Sequence, residues 1–290
     1  MTIYNLGSIN ADLFYQLPHL PGPGETLASD TLTRGLGGKG ANMSVAVARA
    51  AAHVVHIGAV GADGRWAVER LTEYGVDTRH IATAAEDTGH AIILVDAGGE
   101  NSIILHRGAN WTLSETEIAL ALEPAVPEDT FLFQNETNAQ AEGARMASAK
   151  GMRVAYAAAP FDARAVQAVL PLLDLLVLNE IEAAQLQAAT GLSPDKLPVR
   201  DVVVTLGAEG CRWYNTDDGT DRAFAAIPVT PVDTTGAGDT FTGYLIAGLD
   251  RGMPMAQAIG LATQAAAIMV TRAGTADVIP DLKDVQDARL

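Results

Sequence analysis

Basic residues are scarce in this chain. Nineteen Lys and Arg stand against 35 Asp and Glu, a formal net charge of −16 over 290 residues. A protein this acidic repels nucleic acid and anionic membrane surfaces, so neither is an expected partner. Cysteine is almost missing. Cys211 alone excludes an intramolecular disulfide and a thiolate metal cluster, and it suits a reducing compartment. Long apolar runs are missing too. The most apolar stretch, 165–178, is interrupted by Pro171 and Asp174, short of the about 18 clean apolar residues that read as a membrane span. The first ten residues carry neither the basic start nor the apolar core of a secretion signal, so the expected location is the cytoplasm. What is present is apolar material for a large core, 48% of residues. A chain of this length suits one α/β unit with an insert.

Along the chain, 2–6 reads as a buried strand ending at Gly7. Asn10 and Asp12 come next at its carboxyl end, where open α/β sheets bind ligands. A plain turn is the competing reading for these two residues. Pro18, Pro21, Gly22, Pro23 and Gly24 interrupt the pattern, and 25–34 reads as an exposed strand. A strand over 54–60 and a helix over 64–74 come next. Two apolar runs, 91–96 and 101–106, flank Gly98-Gly99 as a hairpin. A hairpin is foreign to a purely parallel sheet. It is therefore expected to join the 11–34 segment in a small second sheet, inserted at about 11–35 and 88–107, a lid over a pocket. Beyond Leu113 the strands 130–134, 152–157, 175–178 and 201–206 alternate with helices, the mark of a parallel sheet covered on both faces. Late antiparallel strands at 212–215 and 223–229 and helices at about 237–250 and 254–271 complete the chain. The expected fold is a single α/β unit over 1–290, a three-layer α/β/α sandwich with a mostly parallel central sheet plus the lid.

Two glycine-rich helix starts carry the chemical signal. In Val232-Asp233-Thr234-Thr235-Gly236-Ala237-Gly238-Asp239-Thr240-Phe241 a loop runs into a helix. First-turn N–H groups lack intrahelical partners, and the missing side chains at Gly236 and Gly238 let an anion such as phosphate approach them. Asp239 then lies beside that anion, placed to accept a proton from an attacking hydroxyl. An Asp in a first helical turn also serves simply to cap the helix and favour its dipole. The second start is Gly35-Leu36-Gly37-Gly38-Lys39-Gly40-Ala41-Asn42. It matches G-x-G-x-x-G but does not come directly after the first strand of the fold, which speaks against a dinucleotide site. It also lacks the Ser or Thr that comes after the lysine of a phosphate-binding P-loop. Polar residues recur at other strand ends: Glu136, Asn179 with Glu182, and Thr205 with Gly207. Each alone reads as a turn or cap. On one edge of a parallel sheet, one pocket would gather them.

These motifs resemble the ribokinase family, the phosphofructokinase-B-type carbohydrate kinases, over essentially the whole chain. The carriers are 7–12 (GSINAD), 23–26 (PGET), 37–42 (GGKGAN), 179–182 (NEIE), 205–207 (TLG) and 233–241 (DTTGAGDTF). The resemblance implies ATP-dependent transfer of the γ-phosphate to the primary hydroxyl of a furanose, ribose foremost, with another sugar or a nucleoside as the alternative. It makes Asp239 the catalytic base and the backbone of Gly236, Ala237 and Gly238 the anion hole. Asn10, Asp12, Gly38, Lys39, Asn42 and Glu136 would bind the sugar, with Asp239. Thr205, Leu206, Gly207, Ala208, Glu209 and Gly210 would line the nucleotide site with Asn179, Gly238 and Asp239, and Thr263 would lie near the adenine. Asn179 and Glu182 would help hold magnesium through water. Potassium would be held by Asp233 and by carbonyls of Thr235, Met269, Arg272 and Gly274, with Val278 where a side-chain hydroxyl is expected. A homodimer through the lid is implied as well. Two departures stand out: Ala157 where the family carries Asn, and the acidic Glu209 in the nucleotide loop. Two further classes remain open, a sugar-binding protein that has lost the chemistry and a dinucleotide oxidoreductase using 35–40.

Overall fold

The computed structural model describes residues 1–288. In chain order the first strands are β1 (Thr2–Leu6), β2 (Asn10–Gln16), β3 (Thr31–Gly37), β4 (His53–Val60), β5 (Asp77–Thr83), β6 (Gly89–Val95) and β7 (Asn101–His106). The later strands are β8 (Thr130–Gln134), β9 (Arg153–Ala157), β10 (Leu175–Asn179), β11 (Asp201–Thr205), β12 (Cys211–Asn215) and β13 (Thr220–Phe224). The large sheet runs β13-β12-β11-β10-β9-β8-β1-β4-β5. Its pairs from β11 through β5 are parallel, and β12 and β13 add an antiparallel edge. The central strands are apolar on both faces, as in Val202-Val203-Val204, because helices cover both. The smaller sheet has the order β3-β2-β6-β7. Both segments expected to form it do so.

The helices Lys39–Arg49, Ala237–Asp250 and Met255–Met269 share one core with Ile3, Val54 and Leu132. On the opposite face Glu115–Leu122, Gln140–Ala149 and Glu180–Thr190 share another with Leu6, Phe131 and Tyr156. The architecture is the expected three-layer sandwich. One close approach shapes the site. A Cβ on Gly243 would lie 2.5 Å from the Ala46 Cβ. Only glycine lets the Ala237–Asp250 helix press against the Lys39–Arg49 helix there, which sets the two glycine-rich starts side by side.

Several expectations move. Asn10 and Asp12 do not form a turn: they open β2 of the small sheet, where the chain leaves the large one. The strand expected at 25–34 lies at Thr31–Gly37. β5 is not expected from the sequence, because an edge strand reading Asp-Thr-Arg-His-Ile-Ala-Thr mixes polar with apolar residues. The last strand is Thr220–Phe224 rather than 223–229, since the charges of Asp221 and Arg222 suit an exposed edge. The Glu115–Leu122 helix is a further addition, although Ser114 and Glu117 form a full capping box that marks its start.

Candidate active site

The site forms where the two helix starts meet the carboxyl ends of the large sheet. Gly38 precedes the Lys39–Arg49 helix at φ 90°, and a Cβ there would crowd the Ser8 carbonyl oxygen at 2.9 Å. A side chain is excluded at Gly40 as well, whose Cβ would fall 2.4 Å from the backbone of Gly7. The helix start is thus pressed against the end of β1. Its free Lys39 N–H donates to Glu136 Oε2 at 3.0 Å, and the Ser8 hydroxyl donates to the same oxygen at 2.5 Å. Glu136 is held by a helix N-terminus, the position an anion favours. Asn110 Nδ2 donates to Asn10 Oδ1 at 2.8 Å, which turns the Asn10 amide nitrogen outward as a donor. The Asp12 carboxylate lies directly over Gly37. A small cavity of about 60 Å³ opens beside Asn10, Asn110, Asn135 and Glu136, with Leu105 and Arg107 contributed from the small-sheet side.

The second start supplies the other wall. Gly236 caps the Ala237–Asp250 helix in the left-handed region at φ 76°. Gly238 faces open space, with nothing within 4 Å of where a Cβ would sit. The first-turn N–H groups of Gly238 and Asp239 have no intrahelical acceptor. Asn42 Nδ2 donates to Asp239 Oδ2 at 2.9 Å and joins the two helix starts. Asp239 is buried, 7% exposed, yet aimed at the polar cluster.

Charge is concentrated here. Asp12, Glu136, Asp239 and Glu182 all act on Lys39. Asp239 is the largest cause that raises the Lys39 ammonium, against the pull of burial. Burial first, then Glu136 and Asp239, push the Asp12 carboxyl up to about 7, with Lys39 opposing. Burial also raises Glu182. The cluster therefore holds one firmly protonated cation among carboxylates that compete for it.

A cavity of about 410 Å³ adjoins this helix start at Ala237 and Gly238. Of the residues the sequence suggests for a nucleotide site, Thr205, Gly207, Ala208, Gly210, Gly238 and Thr263 line it, whereas Leu206, Glu209, Asn179 and Asp239 do not. Its remaining walls are mostly apolar: Ala226 to Val229, Pro231, Phe241, Ala266, Ala267 and Val270, with Thr234 the polar exception. Sequence reasoning does not find these. The usable signal is Ile-Pro-Val-Thr-Pro over 227–231, a proline-marked loop whose apolar residues read partly as strand. Asn179 and Glu182 cap the Glu180–Thr190 helix reciprocally, each side chain accepting the other's backbone N–H at 2.8 Å. The Asp233 carboxylate accepts from Thr235 N at 2.8 Å and Gly274 N at 3.1 Å. A Val278 methyl stands 3.4 Å from where a Gly274 Cβ would be. Met269 is fully buried, and its carbonyl accepts from Arg272 N. Among the described residues no group of three or more His, Cys, Asp or Glu side chains converges on a metal position.

A profile of the pfkB family carbohydrate kinases matches residues 2–282. The chain belongs to that family. As a pfkB carbohydrate kinase it is 35% identical to a ribokinase of Haemophilus influenzae, over 96% of this chain and 95% of that one. A ribokinase of Cryptococcus neoformans var. grubii, solved in complex with ADP, superposes with a TM-score of 0.84 at 34% identity, covering 100% of this chain and 99% of that one. An Arabidopsis thaliana ribokinase complexed with ribose and ATP gives 0.85 at 26% identity, covering 98% and 97%. The pfkB kinase fold accounts for the two sheets, and the dinucleotide reading of 35–40 has no support: that stretch ends β3 and opens a helix next to Asp239.

Proposed function

We propose that this kinase transfers the γ-phosphate of ATP to the primary hydroxyl of a furanose, with D-ribose as the acceptor. The observation that carries the reading is the Asn42–Asp239 bond, which holds one carboxylate between the polar cluster and the anion hole. Asn10, Asp12, Gly38, Lys39, Asn42 and Glu136 bind the sugar, since hydroxyl groups need paired donors and acceptors. Asp239 takes the proton of the attacking hydroxyl. The backbone at Gly236, Ala237 and Gly238 receives the phosphate. ATP lies in the 410 Å³ cavity, its base against the apolar 226–231 wall. Purified protein with MgATP and a sugar and nucleoside panel tests the assignment. ADP release with D-ribose is expected. Release with another sugar or a nucleoside alone would overturn ribose, and no release with any acceptor would favour a binding protein.

Magnesium fits through Glu182, whose second carboxylate oxygen lies outside the cap. Bound with ATP, it would offset the charge on the phosphates. Potassium would be held by the Asp233 carboxylate and the carbonyls of Thr235, Met269, Arg272 and Gly274. Val278 presents methyl groups beside Gly274, and a hard cation needs oxygen. Activation by potassium is therefore expected to be weak. In a potassium titration Val278→Ser should lower the half-activating concentration. An unchanged concentration and maximal rate would remove this position from the cation site.

Asp12 makes sugar binding pH-dependent. Its carboxyl is pushed up to about 7, so it is about half protonated at neutral pH and increasingly so below, and a protonated carboxyl is a poorer acceptor for hydroxyls. Between pH 7 and 6 the sugar KM is expected to rise roughly fivefold, as the ionised fraction falls from about a half to about a tenth. Asp12→Asn should flatten that dependence; a profile identical to wild type would place the titrating group elsewhere.

The small sheet acts as a lid and joins two copies. Ile104 is 60% exposed and Leu32 55% exposed, on the same face as the half-buried Leu13, Tyr15, Ile92 and Leu94. Such a patch fits a partner face. Light scattering at micromolar protein should report a dimer in the cytoplasmic enzyme, and a strict monomer would count against this face as an interface.

A further inference from the structure

Beneath the sugar site lies a buried polar chain that the proposed mechanism does not use. Asn5 and His56 are register partners on β1 and β4, and both are fully buried with Ser44 of the overlying helix. His56 Nε2 is 3.1 Å from the Gly7 carbonyl oxygen, and Nδ1 is 2.8 Å from Ser44 Oγ. A carbonyl only accepts, so Nε2 carries the hydrogen and Nδ1 accepts from the Ser44 hydroxyl. Ser44 Oγ accepts in turn from Asn5 Nδ2 at 2.8 Å. The same Asn5 nitrogen donates to the Gly40 carbonyl at 2.8 Å, and Asn5 Oδ1 accepts from Gln134 Nε2 at 2.8 Å. Every bond from Gly7 to Gln134 is consistent with one set of proton positions. Only the far end, Gln134 Oε1, lacks a partner among the described residues.

The two carbonyls held by this chain belong to Gly7 and Gly40, the pair in direct backbone contact. A Cβ on either would fall 2.4 Å from the other. Two glycines have no side chains to interlock, and the direct ties between the two segments run through Ser8, whose carbonyl accepts from Ala41 N at 2.8 Å and whose hydroxyl oxygen accepts from Gly40 N at 3.3 Å. The hydrogen bonds from below fix the Gly7 and Gly40 carbonyls themselves, which the Ser8 bonds leave free. Gly7 leads into Ser8, which bonds Glu136, and on to Asn10. Gly40 leads into Asn42, which bonds Asp239. Both glycines therefore set the position of sugar-site backbone.

We infer that His56 is a positioning residue for the sugar site. As the neutral Nε2–H tautomer it holds the Gly7 carbonyl and, through Ser44 and Asn5, fixes the end of β1 against the start of the Lys39–Arg49 helix. Burial keeps the ring neutral, holding its pKa down at about 4 against the contrary effect of the Gly7 bond. This rests on the sugar-kinase reading for its kinetic consequence but not for its structural one.

The test uses the full-length protein with His56→Phe, which keeps a ring and removes both bonds. By hydrogen exchange, peptides covering 5–10 and 38–44 should exchange at least about fivefold faster, while 207–210 and 233–238 stay unchanged. For whichever sugar the wild type phosphorylates, KM should rise about tenfold, the scale of a lost buried hydrogen bond, with kcat and the ATP KM nearly constant. His56→Gln, which retains a donor for Gly7, should recover most of both effects. If His56→Phe does not fold, Ser44→Ala breaks the same chain and serves instead. Unchanged exchange at 5–10 and 38–44, equal loosening everywhere, or an unchanged sugar KM would overturn the inference. If no sugar is phosphorylated at all, the kinase reading fails and the exchange result alone decides the role of His56.

Discussion

Asp239→Asn is expected to lower kcat by about 10²–10⁴-fold, the usual loss when a general base is removed. The substitution changes little else. Asn42 Nδ2 donates to Asp239 Oδ2, and an amide oxygen at the same place accepts that bond equally well. The helix start keeps its left-handed Gly236 and its open Gly238. What disappears is the capacity to take a proton. The KM values for sugar and ATP should therefore stay close to wild type, and the loss should appear in kcat. Steady-state kinetics with the preferred acceptor checks this. Near-wild-type turnover would reduce Asp239 to a helix cap and remove it from the chemistry.

Gly37→Ala is expected to raise the sugar KM about 100-fold while leaving the ATP KM unchanged. A Cβ on Gly37 would lie 1.9 Å from Asp12 Oδ2, 2.1 Å from Cγ and 2.3 Å from Oδ1. The short Asp12 side chain has no room to yield without leaving its place. Two hydroxyl–carboxylate bonds are then lost, together worth ~3 kcal/mol, and each 1.4 kcal/mol is about tenfold in affinity. Gly35→Ala is the control. Gly35 is the register partner of Asp12, yet its Cβ would meet only Phe14, at 3.9 Å. Its KM should match wild type. If Gly37→Ala saturates at the wild-type sugar concentration, Asp12 is not a sugar ligand.

The alternating strands and helices after Leu113 are legible because buried parallel strands are short continuous apolar runs between helical periods. The hairpin around Gly98-Gly99 is legible from its turn chemistry. Edge elements are harder to read. β5 and β13 carry polar residues because one side meets solvent, which blurs the pattern. Asn10 and Asp12 look like a turn because the residues that leave one sheet and enter another carry the same polar types as turn residues.

Within the site, the sequence by itself determined the local devices: the Gly38 and Gly236 helix starts, Lys39 and Asp239 in first turns, and the Asn179–Glu182 capping pair. Each depends on backbone geometry within a few residues, which the residue types dictate directly. Tertiary structure alone decided which devices meet. Asn42 reaches Asp239 across 197 residues because Gly243 lets one helix press on the other at Ala46. Folding buries Asp12 beside Glu136 and Asp239, which pushes its carboxyl up to about 7. The apolar wall at 226–231 and the His56–Ser44–Asn5 chain look like ordinary loop and core residues in the sequence. Their roles arise from close packing between distant elements, where burial and the distance between groups fix charge and hydrogen bonding, and neither quantity is a property of neighbouring residues in the chain.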